Sequence, residues 1–301
     1  MSIILVILLL AIGKKPAKKS EEMNIFCSVD DNNSLQTSVM LASLLVNTPS
    51  KKNITIHLVR PSDSSLSGEN IYKLEYLKNL HKNSKLNFIV FDERKLKDFN
   101  NESWNKAILI KLFADEIFKD TPISKVLWLD DDIIITQDIS ELFQIDMGNK
   151  CLAATEQSEL YRKHEGATVP KWVTAGIGLY NLEAIRKNKM QEKFINCCKF
   201  YTKNVKKLRK EDRILGGIEE YVLTNVIEEK DFLKLDEKKY CLMAHFYARE
   251  NFTKYLKEEF SNAKIVHFAG FIKPWKNEQR TSELLFFYKK WDTYFKKTLF
   301  F

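Results

Sequence analysis

The sequence predicts an α/β fold whose core is a single mixed, mainly parallel β-sheet with helices on both faces. Short β-prone runs alternate with helical patterns of about 10 to 15 residues, which is the arrangement of βαβ units. Clusters of acidic residues directly follow two of the runs, at 30–31 and 130–132. No internal repeat and no Pro- or Gly-rich linker divides the chain, so we expect residues 23–301 to form one domain.

The composition is that of a globular chain with a basic surface. The 301 residues are 45% hydrophobic, and 48 basic against 40 acidic residues give a net charge of +8. The lysines are spread along the sequence, which favours a solvated surface over a nucleic-acid partner; a basic groove for a phosphorylated ligand is the alternative. The five cysteines form no CxxC pair and are odd in number. Neither a disulfide framework nor a zinc site is therefore predicted, and reduced thiols favour a reducing compartment.

Residues 1–22 differ from the rest and are left out of the predicted fold. Their apolar run, 3–12, is too short to cross about 30 Å of hydrocarbon as a straight helix. Lysines follow it within 14–19 and no basic residue precedes it, so the positive-inside tendency favours a cytoplasmic domain. The extension is an anchor, a signal or a mis-assigned start before Met23. We expect a cytoplasmic protein, either free or associated with a membrane. The alternative is that residues 1–13 act as a signal peptide and direct the protein to the lumen of the secretory pathway.

Apolar periodicity places the elements in order along the chain. Short β-prone runs predict strands at residues 24–29, 53–59, 86–91, 126–129, 151–155, 176–181 and 264–267. Apolar residues at helical spacing predict helices around 39–45, 69–82, 105–119, 192–207, 219–227 and 283–300. The last segment is rich in aromatic residues and lysine. Core packing is its first explanation, and peripheral attachment to a membrane is the second.

The acidic clusters stand where two strands end. The carboxyl ends of parallel strands meet at one edge of a sheet, where ligands bind, so we expect Asp30 and Asp31 to lie close to the aspartates at 130–132. Asp130 and Asp132 point the same way on an extended segment, and two convergent carboxylates suit Mg²⁺ or Mn²⁺. A merely solvated strand end is the alternative. The apolar flanks indicate burial, and buried like charges need a compensating cation.

A second candidate segment, IVHFAGFIKPW, covers residues 265–275. His267 offers a nitrogen ligand, Gly270 lets the backbone approach a ligand closely, and Lys273 adds a positive charge. A divalent cation together with a lysine is suited to binding a diphosphate. The residue chemistry alone therefore predicts metal-dependent handling of a nucleotide diphosphate.

Four segments in order resemble the retaining glycosyltransferases of family 8, which have the GT-A nucleotide-diphospho-sugar transferase fold and include glycogenin and bacterial lipopolysaccharide galactosyl- and glucosyltransferases. The segments are FCSVDDNN (26–33), KVLWLDDDIIITQDISELF (125–143), VTAGIGLYNLEAIR (173–186) and KIVHFAGFIKPW (264–275). Together they span nearly all of the chain after Met23.

The resemblance implies a role for each matched residue. Asp130, Asp132 and His267 are implied to bind Mn²⁺, with Mg²⁺ as the alternative. The uridine-binding loop is implied to contain Ser28, Asp30, Asp31 and Asn32, and the diphosphate-binding loop Gly270 and Lys273. The implied donor-sugar or catalytic contacts are Lys111, Asp131, Thr174, Ala175, Glu219 and Glu220. Asn33 stands where the family often has an aromatic residue for uracil stacking, and Glu220 stands where glutamine is usual.

The implied activity is Mn²⁺-dependent transfer of a hexose, glucose or galactose, from a UDP-sugar to a hydroxyl of a glycan, glycolipid or protein acceptor, with retention of configuration. A metal-dependent nucleotidyltransferase also uses paired aspartates, but it should carry a Gly-rich or basic phosphate loop after the first strand, where this chain has SVDDNN. A catalytically silent binding module with the same fold is the non-enzymatic alternative.

Overall fold

The structure, a computed structural model, describes residues 22–99, 106–164, 166, 169–211, 216–244, 260–270, 273–276, 280 and 282–301. Almost all of the 1–22 extension, including its apolar run, lies outside these residues. Among the helices of the described part, none is long and apolar enough to cross a membrane.

The strands follow the predicted order, with small shifts at their ends. They are β1 (Met23–Ser28), β2 (Ile54–Pro61), β3 (Ser84–Phe91), β4 (Lys125–Leu129), β5 (Ile133–Ile135), β6 (Leu152–Glu156), β7 (Val173–Asn181), β8 (Phe232–Leu235), β9 (Leu242–Met243) and β10 (Ile265–His267). Three of these, β5, β8 and β9, were not predicted. Their short length explains this, because runs of two to four residues carry little periodicity.

The helices are α1 (Ser34–Asn47), α2 (Gly68–Tyr76), α3 (Ala114–Ile117), α4 (Glu159–His164), α5 (Leu182–Lys187), α6 (Met190–Glu211), α7 (Ile218–Val226), α8 (Glu237–Tyr240) and α9 (Leu285–Phe295). The helix predicted over 105–119 is instead a 3₁₀ helix over Lys106–Phe113 followed by α3. Residue 105 itself lies outside the described residues.

The large sheet has the strand order β3-β2-β1-β4-β7-β6-β8. The neighbours β3-β2, β2-β1, β1-β4 and β6-β8 are parallel, whereas β7 is antiparallel to both β4 and β6. The predicted mixed, mainly parallel sheet is therefore confirmed. A second sheet, β5-β10-β9, was not predicted.

The core has two layers, one on each face of the large sheet, and alternate residues of β1 face one layer or the other. Ile25 and Cys27 face the layer that contains α1 and α9, and Phe26 faces the layer that contains α6 and α7. Helices therefore cover both faces of the large sheet, as expected for parallel strands. Because β1 and β4 are adjacent and parallel, their carboxyl ends open at the same edge.

The aromatic stripe of α9 packs mainly into the core. Phe287, Tyr288, Trp291 and Tyr294 are buried, which confirms the first explanation of this segment. Leu285 and Phe286 are half exposed at the start of the helix. Attachment of α9 to a membrane stays a prediction.

Asn47 connects three parts of the fold. Its side-chain amide nitrogen donates to Ser43 O at 2.9 Å within α1, to Ile135 O at 3.0 Å at the end of β5, and to Tyr294 Oη at 2.8 Å on α9. The contact with Ile135 ties α1 to the strand that follows the three aspartates.

We expect Asn47→Ala to lower the free energy of unfolding by about 2 kcal/mol, because the two hydrogen bonds that leave α1, to Ile135 O and Tyr294 Oη, are lost at about 1 kcal/mol each. Urea denaturation measures the change. Asn204→Ala is the control, since that amide makes an exposed hydrogen bond to Phe200 O within α6, and it should cost less than about 0.5 kcal/mol. Equal stability of Asn47→Ala and the parent protein would contradict the assignment.

Candidate active site

A cleft of about 540 Å³ opens where β1 and β4 end. Most of the predicted site residues line it: Ser28, Asp30, Asn32, Asp130, Asp131, Asp132, Ala175, Glu219, Glu220, His267, Gly270 and Lys273. Its volume falls in the range of small-molecule sites, and its acidic wall distinguishes it from an apolar pocket. The expected meeting of the two acidic clusters at one sheet edge is found here.

Asp130, Asp132 and His267 form a group suited to a metal ion. One ligand atom from each lies within 4.8 Å of the others. Asp132 Oδ1 is 3.0 Å from His267 Nε2, an ion-pair distance, and it is buried without a hydrogen-bond partner. A carboxylate oxygen and an imidazole nitrogen that converge in this way fit a shared cation.

Asp132 is also held by Lys273, whose Nζ lies 2.6 Å from Oδ2 and donates to Phe268 O at 2.8 Å. Burial would raise the pKa of Asp132, but Lys273 and His267 lower it well below its usual value. Burial would likewise lower the pKa of His267, and the adjacent carboxylate raises it well above the usual value instead. Asp132 and His267 therefore carry opposite charges in the protein alone.

Two buried side chains bind the carboxylate of Asp130. Its Oδ1 accepts hydrogen bonds from Lys111 Nζ at 2.8 Å and from Trp128 Nε1 at 2.5 Å. Lys111 also donates to Ala175 O at 3.0 Å and is only 1% exposed. Both side-chain donors bind the same oxygen, so Oδ2 is the atom left for a cation.

Lys111 does not line the cleft, and the predicted direct contact with the donor is corrected to a contact with Asp130. The physical reason is its burial behind that carboxylate, where the ammonium compensates the charge. The sequence placed Lys111 on a helix before the aspartates but gave no information on the direction of its side chain.

Asp31 also differs from the prediction. Its carboxylate accepts hydrogen bonds from Ser67 N at 2.7 Å and Asn70 Nδ2 at 2.8 Å, at the start of α2, and it does not line the cleft. The hydrogen bonds from Ser67, Ser65 and Asn70 lower its pKa to about 2. Asp31 anchors the loop, whereas Asp30 and Asn32 face the cleft.

Thr174 is the third correction. Its side chain is fully buried, and its hydroxyl contacts the hydroxyl of Thr155 and donates to Thr155 O at 3.1 Å. The hydroxyl is thus engaged by β6 and cannot bind a sugar in the cleft, while the next residue, Ala175, does line it.

Sequence reasoning missed the role of Asn33. Its Nδ2 donates to Asp131 Oδ2 at 2.7 Å, and its Oδ1 accepts from Asp30 N at 2.7 Å. Asn33 therefore joins the two acidic loops. The family often has an aromatic residue at this position. Burial and the neighbouring charges of Asp132 and Asp130 raise the pKa of Asp131 to about 7.

Glu219 and Glu220 lie at the start of α7, on the cleft wall. Burial raises the pKa of Glu219 to about 7. Glu220 accepts hydrogen bonds from Trp172 Nε1 at 2.8 Å and Ala175 N at 3.3 Å. Gly216 and Gly217 come before them, and a Cβ on either glycine would collide with one of these carboxylates. The two glycines were not predicted as site residues. The sequence GGIEE at 216–220 could have indicated them, because it sets a glycine pair just before two adjacent carboxylates.

Comparisons with known proteins identify the family of this chain. The family model described as glycosyl transferase family 8 matches residues 24–279. General stress protein A of Bacillus subtilis is 24% identical over 288 residues, which cover 92% of this chain and 97% of that protein.

Solved structures share the fold at low sequence identity. The apo structure of the bifunctional glycosyltransferase WbbM matches with a TM-score of 0.69 at 17% identity, over 95% of this chain and 52% of that one, so this chain spans about half its length. The galactosyltransferase LgtC in complex with donor and acceptor sugar analogues matches with a TM-score of 0.65 at 17% identity, over 92% of this chain and 96% of that one.

The family match covers most of the chain and includes every cleft residue described above. The likeness to glycosyltransferase structures shows the same fold. This chain therefore belongs to glycosyl transferase family 8 and is a glycosyltransferase with the GT-A fold.

Proposed function

We propose that this glycosyltransferase moves a hexose, glucose or galactose, from a UDP-sugar to a hydroxyl of a glycan, glycolipid or protein acceptor, with retention of configuration and with Mn²⁺ bound in the cleft. The observation that carries the proposal is the group of Asp130, Asp132 and His267. LgtC, which shares the fold, is described as a galactosyltransferase and was solved with donor and acceptor sugar analogues.

The residues present fit a divalent cation. Asp132 Oδ1 is buried without a hydrogen-bond partner, and Asp130 Oδ2 is left for a cation by the two donors on Oδ1. Two carboxylates and one imidazole suit Mn²⁺, with Mg²⁺ as the second choice. When bound, such an ion neutralises the phosphate oxygens and stabilises the charge that builds on the leaving diphosphate.

The chain's own residues divide the remaining work of donor binding. Lys273 contacts the carboxylate of Asp132 from the loop that contains Gly270. Its ammonium can therefore bind a phosphate oxygen beside the cation. Gly270 has φ +82°, a backbone conformation that favours glycine and lets the loop turn toward the cleft. Asp30 and Asn32 are placed to bind the nucleoside.

Further residues of the cleft bind the sugar of the donor. Asp131, oriented by Asn33, can accept hydrogen bonds from a donor hydroxyl. Glu219 and Glu220 line the wall and provide further acceptors. In a front-face reaction the departing diphosphate takes the proton of the acceptor hydroxyl on the same face of the sugar. The protein then acts by positioning both sugars and by stabilising the leaving charge.

We expect Asp132→Asn and His267→Ala to lower kcat/KM for UDP release by at least about 100-fold while the fold is kept, because each removes a metal ligand. UDP release is measured from UDP-Glc, UDP-Gal, UDP-GlcNAc and UDP-Xyl, with Mn²⁺ and with EDTA. Asp120→Asn, at an exposed carboxylate before β4, is the control and should behave like the parent protein.

Near-normal turnover in Asp132→Asn or His267→Ala would refute the metal assignment. No UDP release from any sugar nucleotide by the parent protein would favour the catalytically silent module.

We also expect Mn²⁺ affinity to rise with pH. The carboxylate of Asp132 outweighs burial and raises the pKa of His267 well above its usual value, so near neutral pH a cation must displace a proton from the imidazole. Affinity should therefore rise by up to about tenfold per pH unit between about pH 6 and pH 8. Isothermal titration calorimetry measures it, and His267→Ala should bind more weakly and with a shallower slope, because Asp131, whose pKa is raised to about 7, still titrates beside the site. A pH-independent affinity in the parent protein would show that no such proton is displaced.

A further inference from the structure

His267 has a second contact, on the side of the ring that faces away from Asp132. Cys241 Sγ lies 3.5 Å from His267 Nδ1, and both residues are buried. Cys241 directly precedes β9, which pairs in parallel with β10 and sets Met243 opposite His267. The small sheet thus brings together two residues that are 26 positions apart in the sequence.

The two ring nitrogens therefore have different neighbours. Nε2 faces Asp132 Oδ1 at 3.0 Å, and Nδ1 faces Cys241 Sγ. A neutral imidazole that binds a cation through Nε2 carries its proton on Nδ1, and that N–H needs an acceptor in a buried site. Among the described residues, Cys241 Sγ is the hydrogen-bond partner found for Nδ1.

The backbone of β7 confines the same ring. A Cβ built on Gly176 would lie 2.5 Å from His267 Cε1 and 2.9 Å from Nδ1. The imidazole therefore packs directly against the glycine, and little room remains for it to move toward β7. Its orientation is set by this packing and by the contact at Nδ1.

We propose that Cys241 is a positioning residue for His267: its sulfur accepts the Nδ1–H hydrogen bond and holds the ring with Nε2 directed at the cation. The inference rests on the proposed metal site. Residues that orient a metal-binding histidine are usually carboxylates or carbonyls, and their loss costs about 10- to 100-fold in metal affinity. A thiol accepts more weakly, so the expected loss is at the lower end, about tenfold.

The test measures Mn²⁺ binding without turnover. Cys241→Val keeps an apolar side chain of similar size but removes the acceptor, and Cys241→Ala serves if the valine variant does not fold. We expect the Mn²⁺ dissociation constant, measured by electron paramagnetic resonance, to rise about tenfold in either variant. With the variant shown to be folded and Mn²⁺ saturating, the ¹⁴N modulation of a coordinated imidazole in the pulsed spectrum should weaken, which reports the position of the ring itself. Cys241→Ser keeps an acceptor and should recover part of the affinity.

Cys198→Ala is the control, because Cys198 is a buried cysteine on α6, in the other core layer. It should leave the dissociation constant and the ¹⁴N modulation unchanged. If the parent protein binds Mn²⁺ with ¹⁴N modulation and both Cys241 variants match it, the role of Cys241 is refuted and the metal site stands. If the parent protein does not bind Mn²⁺, both the metal site and the role of Cys241 are refuted.

Discussion

Compensation of the three consecutive carboxylates at the end of β4 is the constraint on which the site depends. Like charges on a buried strand end repel each other unless each has a partner. Lys111 binds Asp130, Asn33 binds Asp131, and both Lys273 and His267 approach Asp132. These partners come from separate segments of the chain. Each segment must therefore lie next to the loop of three aspartates that follows β4.

The small sheet brings the most distant of these segments to the cleft. In the antiparallel pair of β10 with β5, His267 stands opposite Ile133, the residue that follows Asp132. Phe268 N also donates to Asp132 O at 2.8 Å. The backbone pairing therefore fixes the histidine next to the carboxylate. On its other side the same strand meets β9, which brings Cys241 to the ring.

Six of the seven strands of the large sheet could be predicted because they have five or more residues and show periodicity locally, whereas β8, with four residues, was missed. The small sheet could not be predicted. Only β10 was expected as a strand, and β5 and β9 are two or three residues long and form through non-local pairing. Residue chemistry and the family motifs located the aspartates and the histidine. A motif fixes a backbone position but not the partner that a side chain takes, and for this reason Asp31, Lys111 and Thr174 were assigned to the cleft although they bind other parts of the protein.

We propose that Asp130, Asp132 and His267 together hold a divalent cation beside a nucleotide diphosphate. Anomalous diffraction from crystals grown with Mn²⁺ and UDP would locate this cation. We expect one strong manganese peak bonded to Asp130, Asp132 and His267 Nε2, with the diphosphate of UDP completing the coordination and Lys273 next to it. A manganese peak elsewhere, or a diphosphate bound in the cleft with no metal at these three residues, would contradict it.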